Sequence, residues 1–133
     1  MPRRHVIMFK PQFAPLVQSG AKLQTIRPRR VRAVLTGDVI DAREWIGKPY
    51  RSKQRKLCVG TGIGTEGVII HRNGVEISPG TLRCFYMGAG TKRRDLLDTF
   101  ARADGFSGWD AMRDWFNETH GLPFEGVLIK WKL

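Results

Sequence analysis

The apolar run Val6-Ile7-Met8-Phe9, bounded by His5 and Lys10, predicts an opening strand over residues 5–10. Pro11 then opens a short helix. Phe13, Leu16 and Val17 fall at i, i+3 and i+4 and give it one apolar face, which Gly20 ends. Pro15 inside that pattern limits the helix to about two turns. Residues 22–30 predict a loop leading into an edge or terminal strand, because Pro28 cannot donate to a central ladder. Gly37-Asp38 marks a turn, and Val39 to Trp45 a strand with polar alternation. Residues 46–56 have no apolar periodicity and predict a basic loop carrying one aromatic. Leu57 to Ile70 is glycine-rich but β-branched, which predicts a long strand, kinked or bulged. Asn73-Gly74 marks a hairpin turn between Val68-Ile69-Ile70 and Val75-Glu76-Ile77. Leu82 to Met87 predicts another short strand.

Two helices follow. Leu96, Leu97 and Phe100 give the first its buried face, and Gly105 ends it. Ser107 with Asp110 three residues on reads as a capping box for the second. Trp109, Met112, Trp115 and Phe116 form its apolar stripe, which helical spacing assigns to the core. Gly121 and Pro123 stop it, and Val127 to Trp131 is a closing strand. The order β-α-β-β-β-β-β-α-α-β predicts an α+β fold, a small mixed β-barrel with helices packed outside. Residues 1–133 read as one domain with no repeat and no linker.

Charge changes the picture. The chain has 133 residues and a formal charge of +11. Residues 1–56 hold 14 Lys or Arg against three acids, Asp38, Asp41 and Glu44, whereas residues 57–133 hold nine of each sign. The whole excess therefore lies in the first 56 residues. Such concentration reads as an electrostatic footprint for phosphates, with binding that weakens steeply in salt. A chain of this size buries roughly two-thirds of its unfolded surface and needs no staple. Cys58 and Cys84 lack CxxC spacing and sit in apolar stretches, which predicts two reduced, buried thiols. His5, His71 and His120 lack metal-ligand spacing, so no metal and no cofactor is expected. No segment has the apolar length of a membrane span or a leader. A monomer in the cytoplasm, with no membrane partner, is the expectation.

Candidate chemistry narrows the ligand. Gly62-Ile63-Gly64-Thr65-Glu66-Gly67 matches GxGxxG, but a strand and hairpin follow where a dinucleotide site needs a helix. Those glycines are expected to let the strand bend or a ligand approach the backbone. Gly88-Ala89-Gly90-Thr91, followed by Lys92, Arg93 and Arg94, is either a phosphate-holding helix start or simple capping by Thr91. Trp45 and Tyr50 flank a loop of cations, where a base can stack while Lys and Arg hold its backbone. In Gly20-Ala21-Lys22-Leu23-Gln24-Thr25-Ile26-Arg27, the surrounding like charges should depress the Lys22 pKa. That is one route to a base or nucleophile, with Thr25 orienting water or substrate. A phosphate clamp needs the same Lys, Thr and Arg.

The spacing Gly20-x-Lys22-x-x-Thr25-x-Arg27 resembles the GxKxxTxR signature of the ASCH domain, in the PUA-like superfamily. Phe9-Lys10-Pro11 resembles the family's opening, and Gly37-Asp38 its GD turn. Residues 105–131, from Gly105-Phe106-x-x-Trp109 to Lys130-Trp131, resemble its terminal helix and strand. The match spans about residues 5–132. The resemblance implies a small β-barrel, a lysine in a cleft between barrel and helices, and RNA or a nucleotide as ligand. One branch of the family removes the acyl group from N4-acetylcytidine with the signature Lys and Thr and a strand Glu. Another cuts RNA without a metal. No acid lies between residues 59 and 63, where the resemblance asks for that Glu; Glu66 and Glu44 are the substitutes.

Three readings stay open. The first is an RNA-binding module, its contacts drawn from Lys22, Arg27, Arg29, Arg30, Trp45, Lys48, Tyr50, Arg51, Lys53, Arg55 and Lys56. The second is a metal-independent ribonuclease, with Tyr50, Lys53 and Lys56 assisting 2′-hydroxyl attack. The third is a nucleoside amidohydrolase using Lys22, Thr25 and a glutamate such as Glu66. Single-stranded RNA or a nucleotide is the expected partner, with DNA as a further candidate.

Overall fold

In the computed structural model, residues 1–77, 84–86 and 91–133 are described, with backbone alone for 84–86 and 91–93. Strand β1 (Arg4–Met8) is followed by helix α1 (Ala14–Ser19), which Gly20 closes in the left-handed region at φ 84°. Strands β2 (Gln24–Arg27), β3 (Val39–Trp45), β4 (Gln54–His71), β5 (Gly74–Ile77) and β6 (Cys84–Tyr86) precede helices α2 (Thr91–Ala103) and α3 (Trp109–Thr119). Strand β7 (Phe124–Lys132) closes the chain.

The long strand β4 organises the sheet. Its first half pairs antiparallel with β3, its second half with β7, and its end with β5. Thr61 pairs with both β3 and β7, and just beyond it the β7 register shifts between Gly62 and Gly64, the bend expected of this glycine-rich stretch. The space over Gly60 and Gly62 is filled from within: an added Cβ would meet the Trp131 ring at 2.8 Å and Val34 at 2.9 Å. Strand β1 runs parallel to β3, β6 pairs with β5, and β2 pairs with β7 alone, which places Pro28 at a sheet edge. The expected α+β class holds, in a seven-stranded sheet with three helices. The expected closed barrel is not formed. Among the described residues no backbone pairing joins β1 to β2.

Two apolar cores meet at β7. Val127, Ile129 and Trp131 face one, with Ile7, Phe9, Val17 and Ile40. Phe124 and Leu128 face the other, with Val68, Val75, Leu97, Trp109, Met112 and Phe116 from β4, β5 and the two long helices. Phe106 and Trp115 pack against both cores, so the seam between the cores is aromatic.

Several local expectations shift. The basic loop is shorter, because Gln54, Arg55 and Lys56 already belong to β4. The hairpin turn is Arg72-Asn73, since His71 pairs with Gly74. That register puts Val68 and Ile70 on the same buried face as Val75 and Ile77. Helix α2 buries Leu97 and Ala101 and leaves Leu96 half exposed. No side chain caps α3 from Ser107. Gly108 is its N-cap, and Asp98 Oδ1 of α2 accepts from Trp109 N at 2.8 Å. Trp115 is half-buried rather than sealed in the core, and Cys58 carries a half-buried free thiol. Gly88-Ala89-Gly90 and the Cys84 thiol lie outside the described residues. No described helix is long and apolar enough to cross a membrane.

Candidate nucleotide site

The end of β1, strand β2, the turn after α2 and the C-terminal half of α3 enclose a cavity of about 200 Å³. Phe9, Phe13, Phe106, Trp115 and Phe116 supply aromatic walls. The polar groups that reach it are Lys22, Thr25, Arg27 and Asp104, with Lys10, Thr119 and His120 at its outer rim. An apolar cavity of about 150 Å³ takes one benzene ring, so the volume suits a single six-membered heterocycle. The walls interlock edge to face: Phe13 lies 5.3 Å from Phe106 and 5.7 Å from Trp115.

Lys22 follows Gly20, whose left-handed turn ends α1 and throws the chain across the base of the cavity. Its side chain is 2% exposed. The ammonium donates to the Asp104 backbone carbonyl and lies 3.3 Å from Asp104 Oδ1. It also stands 5.0 Å from the Phe13 ring centre and 5.9 Å from that of Phe9. Gly105 makes this approach possible. It adopts φ 97°, and a Cβ there would meet the Lys22 stem at 3.0 Å and Phe13 at 3.1 Å. Burial pulls the Lys22 pKa below its ordinary value while Asp104 opposes the shift. The expected direction is therefore found with a different cause. Desolvation dominates, and the like charge of Arg27 adds only a minor push. Burial likewise raises the Asp104 carboxyl to about 6, against Lys22, Gln24 and Arg27. Gln24 Nε2 donates to Asp104 Oδ1 at 3.4 Å.

Thr25 and Arg27 are two residues apart on β2 and act together. Arg27 Nε donates to Thr25 Oγ1 at 3.0 Å. A hydroxyl held as acceptor keeps its own hydrogen to donate, and Thr25 lines the cavity. Arg27 also donates to the Met8 carbonyl at 2.7 Å and lies 4.8 Å from the Phe9 ring centre. The guanidinium thus spans the open seam between β2 and β1. Burial, then the nearby Arg30, lowers its pKa to about 10.

The other candidates are distributed over the surface. Arg29 and Arg30 border a second cleft that includes Thr65, Glu66 and Gly67. Glu66 faces that cleft and does not line the Lys22 cavity, so it is not the carboxylate that completes the lysine site. Glu44 pairs with Arg55 at 3.2 Å. Trp45, Lys48, Tyr50, Arg51 and Lys53 gather in and beside the loop after β3, and Lys56 is exposed on β4. None of them lines the cavity.

Sequence reasoning missed Asp104, the acid that does meet Lys22. It follows the last turn of α2, where the helix dipole disfavours an anion. An acid against the dipole and before a glycine was the available signal, but Asp104-Gly105 reads first as a helix end. Trp115 was assigned wholly to the core, whereas its ring walls the cavity and has the Lys10 ammonium 5.1 Å from its centre. The Asp38 carboxyl of the GD turn is structural. It accepts from Leu35 N, Arg3 N and buried His5, and these bonds hold its pKa down at about 2. Comparison of the chain with protein-family models, curated proteins and solved structures finds no match in any of the three.

Proposed function

We propose that this chain is an RNA-binding domain of the ASCH type that takes one nucleobase of a single strand into the Lys22 cavity. The observation that carries the reading is the convergence of Lys22, Thr25 and Arg27 on an aromatic-lined cavity the size of one ring. Two of the three Lys22 N–H donors are engaged by Asp104, which leaves the third for a base carbonyl in the cavity that Thr25 also lines. Aromatic walls supply stacking, and recognition of unstacked bases in RNA works through that combination. Arg29, Arg30, Lys53 and Lys56 have no ion pair among the described residues and are available to phosphates. The barrel of the ASCH resemblance would close between β1 and β2, where Arg27 already reaches Met8.

A second reading, nucleoside amidohydrolase, is favoured by one observation: a buried Lys and a buried carboxyl in contact, with opposed pKa shifts. Asp104 would then take the place of the strand glutamate. Incubation of metal-free protein with labelled single-stranded RNA and DNA, followed on a gel, tests the binding reading. A shift of RNA that is lost in Lys22→Met supports it, and no shift at low salt sinks it. Cleavage in chelator, lost in Tyr50→Phe, would make the protein a ribonuclease instead. Release of acetate from N4-acetylcytidine, abolished by Asp104→Asn and rising with pH through about 6, would establish the amidohydrolase.

A further inference from the structure

We infer that the loop of residues 46–53 is a stacking platform for a nucleotide adjoining the one in the cavity, with Tyr50 as the surface on which its base lies. The inference rests on the single-stranded RNA reading above and adds a second contact to it. Tyr50 has φ 63°, the one non-glycine among the described residues in the left-handed region. A bulky residue is an outlier there, and glycine would take the same backbone without strain. Burial does not compensate, because Tyr50 is 89% exposed. Its described ring contact is Trp45, with centroids 5.3 Å apart and planes at 50°.

The loop beneath the ring is pinned. Ile46 N donates to Lys53 O at 2.9 Å, Gly47 N to Ser52 Oγ at 2.9 Å, and Arg51 N to Lys48 O at 3.1 Å. The same loop presents Lys48, Arg51 and Lys53, and residues 46–65 contain no acid. An exposed aromatic face among uncompensated cations fits a base carried on a phosphate backbone. An acidic peptide would match the charge and leave the ring face unused.

Strand register sets the platform beside the cavity. Strands β1 and β3 run parallel, Met8 pairs with Arg43, and Phe9 N donates to Arg43 O at 2.8 Å. Beyond that level β1 continues into Phe9 and Lys10, which line the cavity. Strand β3 continues into Trp45, two residues or about 7 Å further on. An RNA strand that leaves the cavity at this end would meet the loop.

The test is fluorescence anisotropy on the full chain with an eight-nucleotide oligouridylate and with the same backbone bearing abasic sites. Calorimetry with uridine monophosphate accompanies it. Tyr50→Ala should weaken oligouridylate binding about tenfold and leave the abasic chain and the mononucleotide unchanged. Tyr50→Phe should bind as the wild type does. Tyr50→Gly should lose the same tenfold while its melting temperature rises, which a merely structural Tyr50 would not do. The platform is overturned if Tyr50→Ala binds oligouridylate normally or loses as much on the abasic chain. It is also overturned if polyglutamate competes with the same dependence on Tyr50. Wild-type protein that binds the mononucleotide but gains nothing from the longer chain overturns the platform alone. Wild-type protein that binds oligouridylate in a Tyr50-dependent way, without binding the mononucleotide, overturns the cavity reading alone.

Discussion

Lys22 and Asp104 show how one buried contact sets the chemistry of a site. Each charge is withdrawn from water, and each offsets the other's desolvation. Replacing Lys22 by Met leaves the carboxyl buried without its cation, which should cost about 3 kcal/mol at pH 7. The penalty has a defined pH dependence. The Asp104 pKa in the folded chain lies near 6, above its ordinary 3.8, so the native state binds more protons across that window. Its contribution to stability therefore falls as pH rises from about 4 to about 6. Removing Lys22 takes away a charge that holds this pKa down, so the window moves upward. Urea unfolding should accordingly show a small penalty for Lys22→Met at pH 5 and a larger one at pH 7. Adding Asp104→Asn should recover most of the loss. An unchanged penalty at the two pH values would show that Asp104 is not the group in play.

At the scale of elements, interactions distant in sequence decide where helices start and strands meet. Helix α3 takes its cap from Asp98, eleven residues before Trp109, because α2 packs alongside it. Asp98→Ala should lower stability by about 1 kcal/mol, whereas Ser107→Ala should change it little; thermal melts of the two compare them directly. Strand β7 passes β2 at Gly126, where an added Cβ would collide with the Arg27 carbonyl and meet the Phe124 ring at 2.9 Å. Gly126→Ala should therefore cost about 2 kcal/mol or more and displace Arg27 from Thr25. A variant with wild-type melting and wild-type RNA affinity would contradict that. Strand β1 is fastened to β3 by Asp41, fully buried, which accepts from Arg43 at 3.0 and 2.7 Å and from Arg4 at 2.9 Å. Two of the N-terminal cations are thereby committed to the fold.

Over the whole molecule, the +11 charge divides into structural and available parts. Arg4 and Arg43 serve Asp41, Arg55 serves Glu44, Lys22 serves Asp104, and Arg27 spans the seam between β1 and β2. Of the cations in residues 1–56 without an ion pair among the described residues, most lie in the 29–32 segment and at Lys48, Arg51, Lys53 and Lys56. If these hold phosphates, log affinity for a single-stranded RNA octamer should fall with log salt at a slope of roughly −2 to −4, near 0.7 per phosphate. Lys53→Ala with Lys56→Ala should flatten the slope by about 1.4 and leave the melting temperature unchanged. A slope that stays put would remove those two residues from the interface.

The order of elements was legible in the chain, because apolar period, Gly and Pro act over a few neighbours. Gly20 ending α1, Pro28 marking an edge and the glycines of β4 marking a bend are all local effects. The grouping of Lys22, Thr25 and Arg27 was legible too, from their spacing, and all three line one cavity. Tertiary structure alone decided what Lys22 meets. Asp104 lies 82 residues away, and its carbonyl and carboxylate reach the ammonium only because α2 ends above the turn after α1. The same holds for Trp115, whose helical spacing says that one face is covered but not that a cavity interrupts the cover. Local periodicity reports which side of an element avoids water. Which side chains converge, and whether they leave a space between them, depends on how distant elements pack.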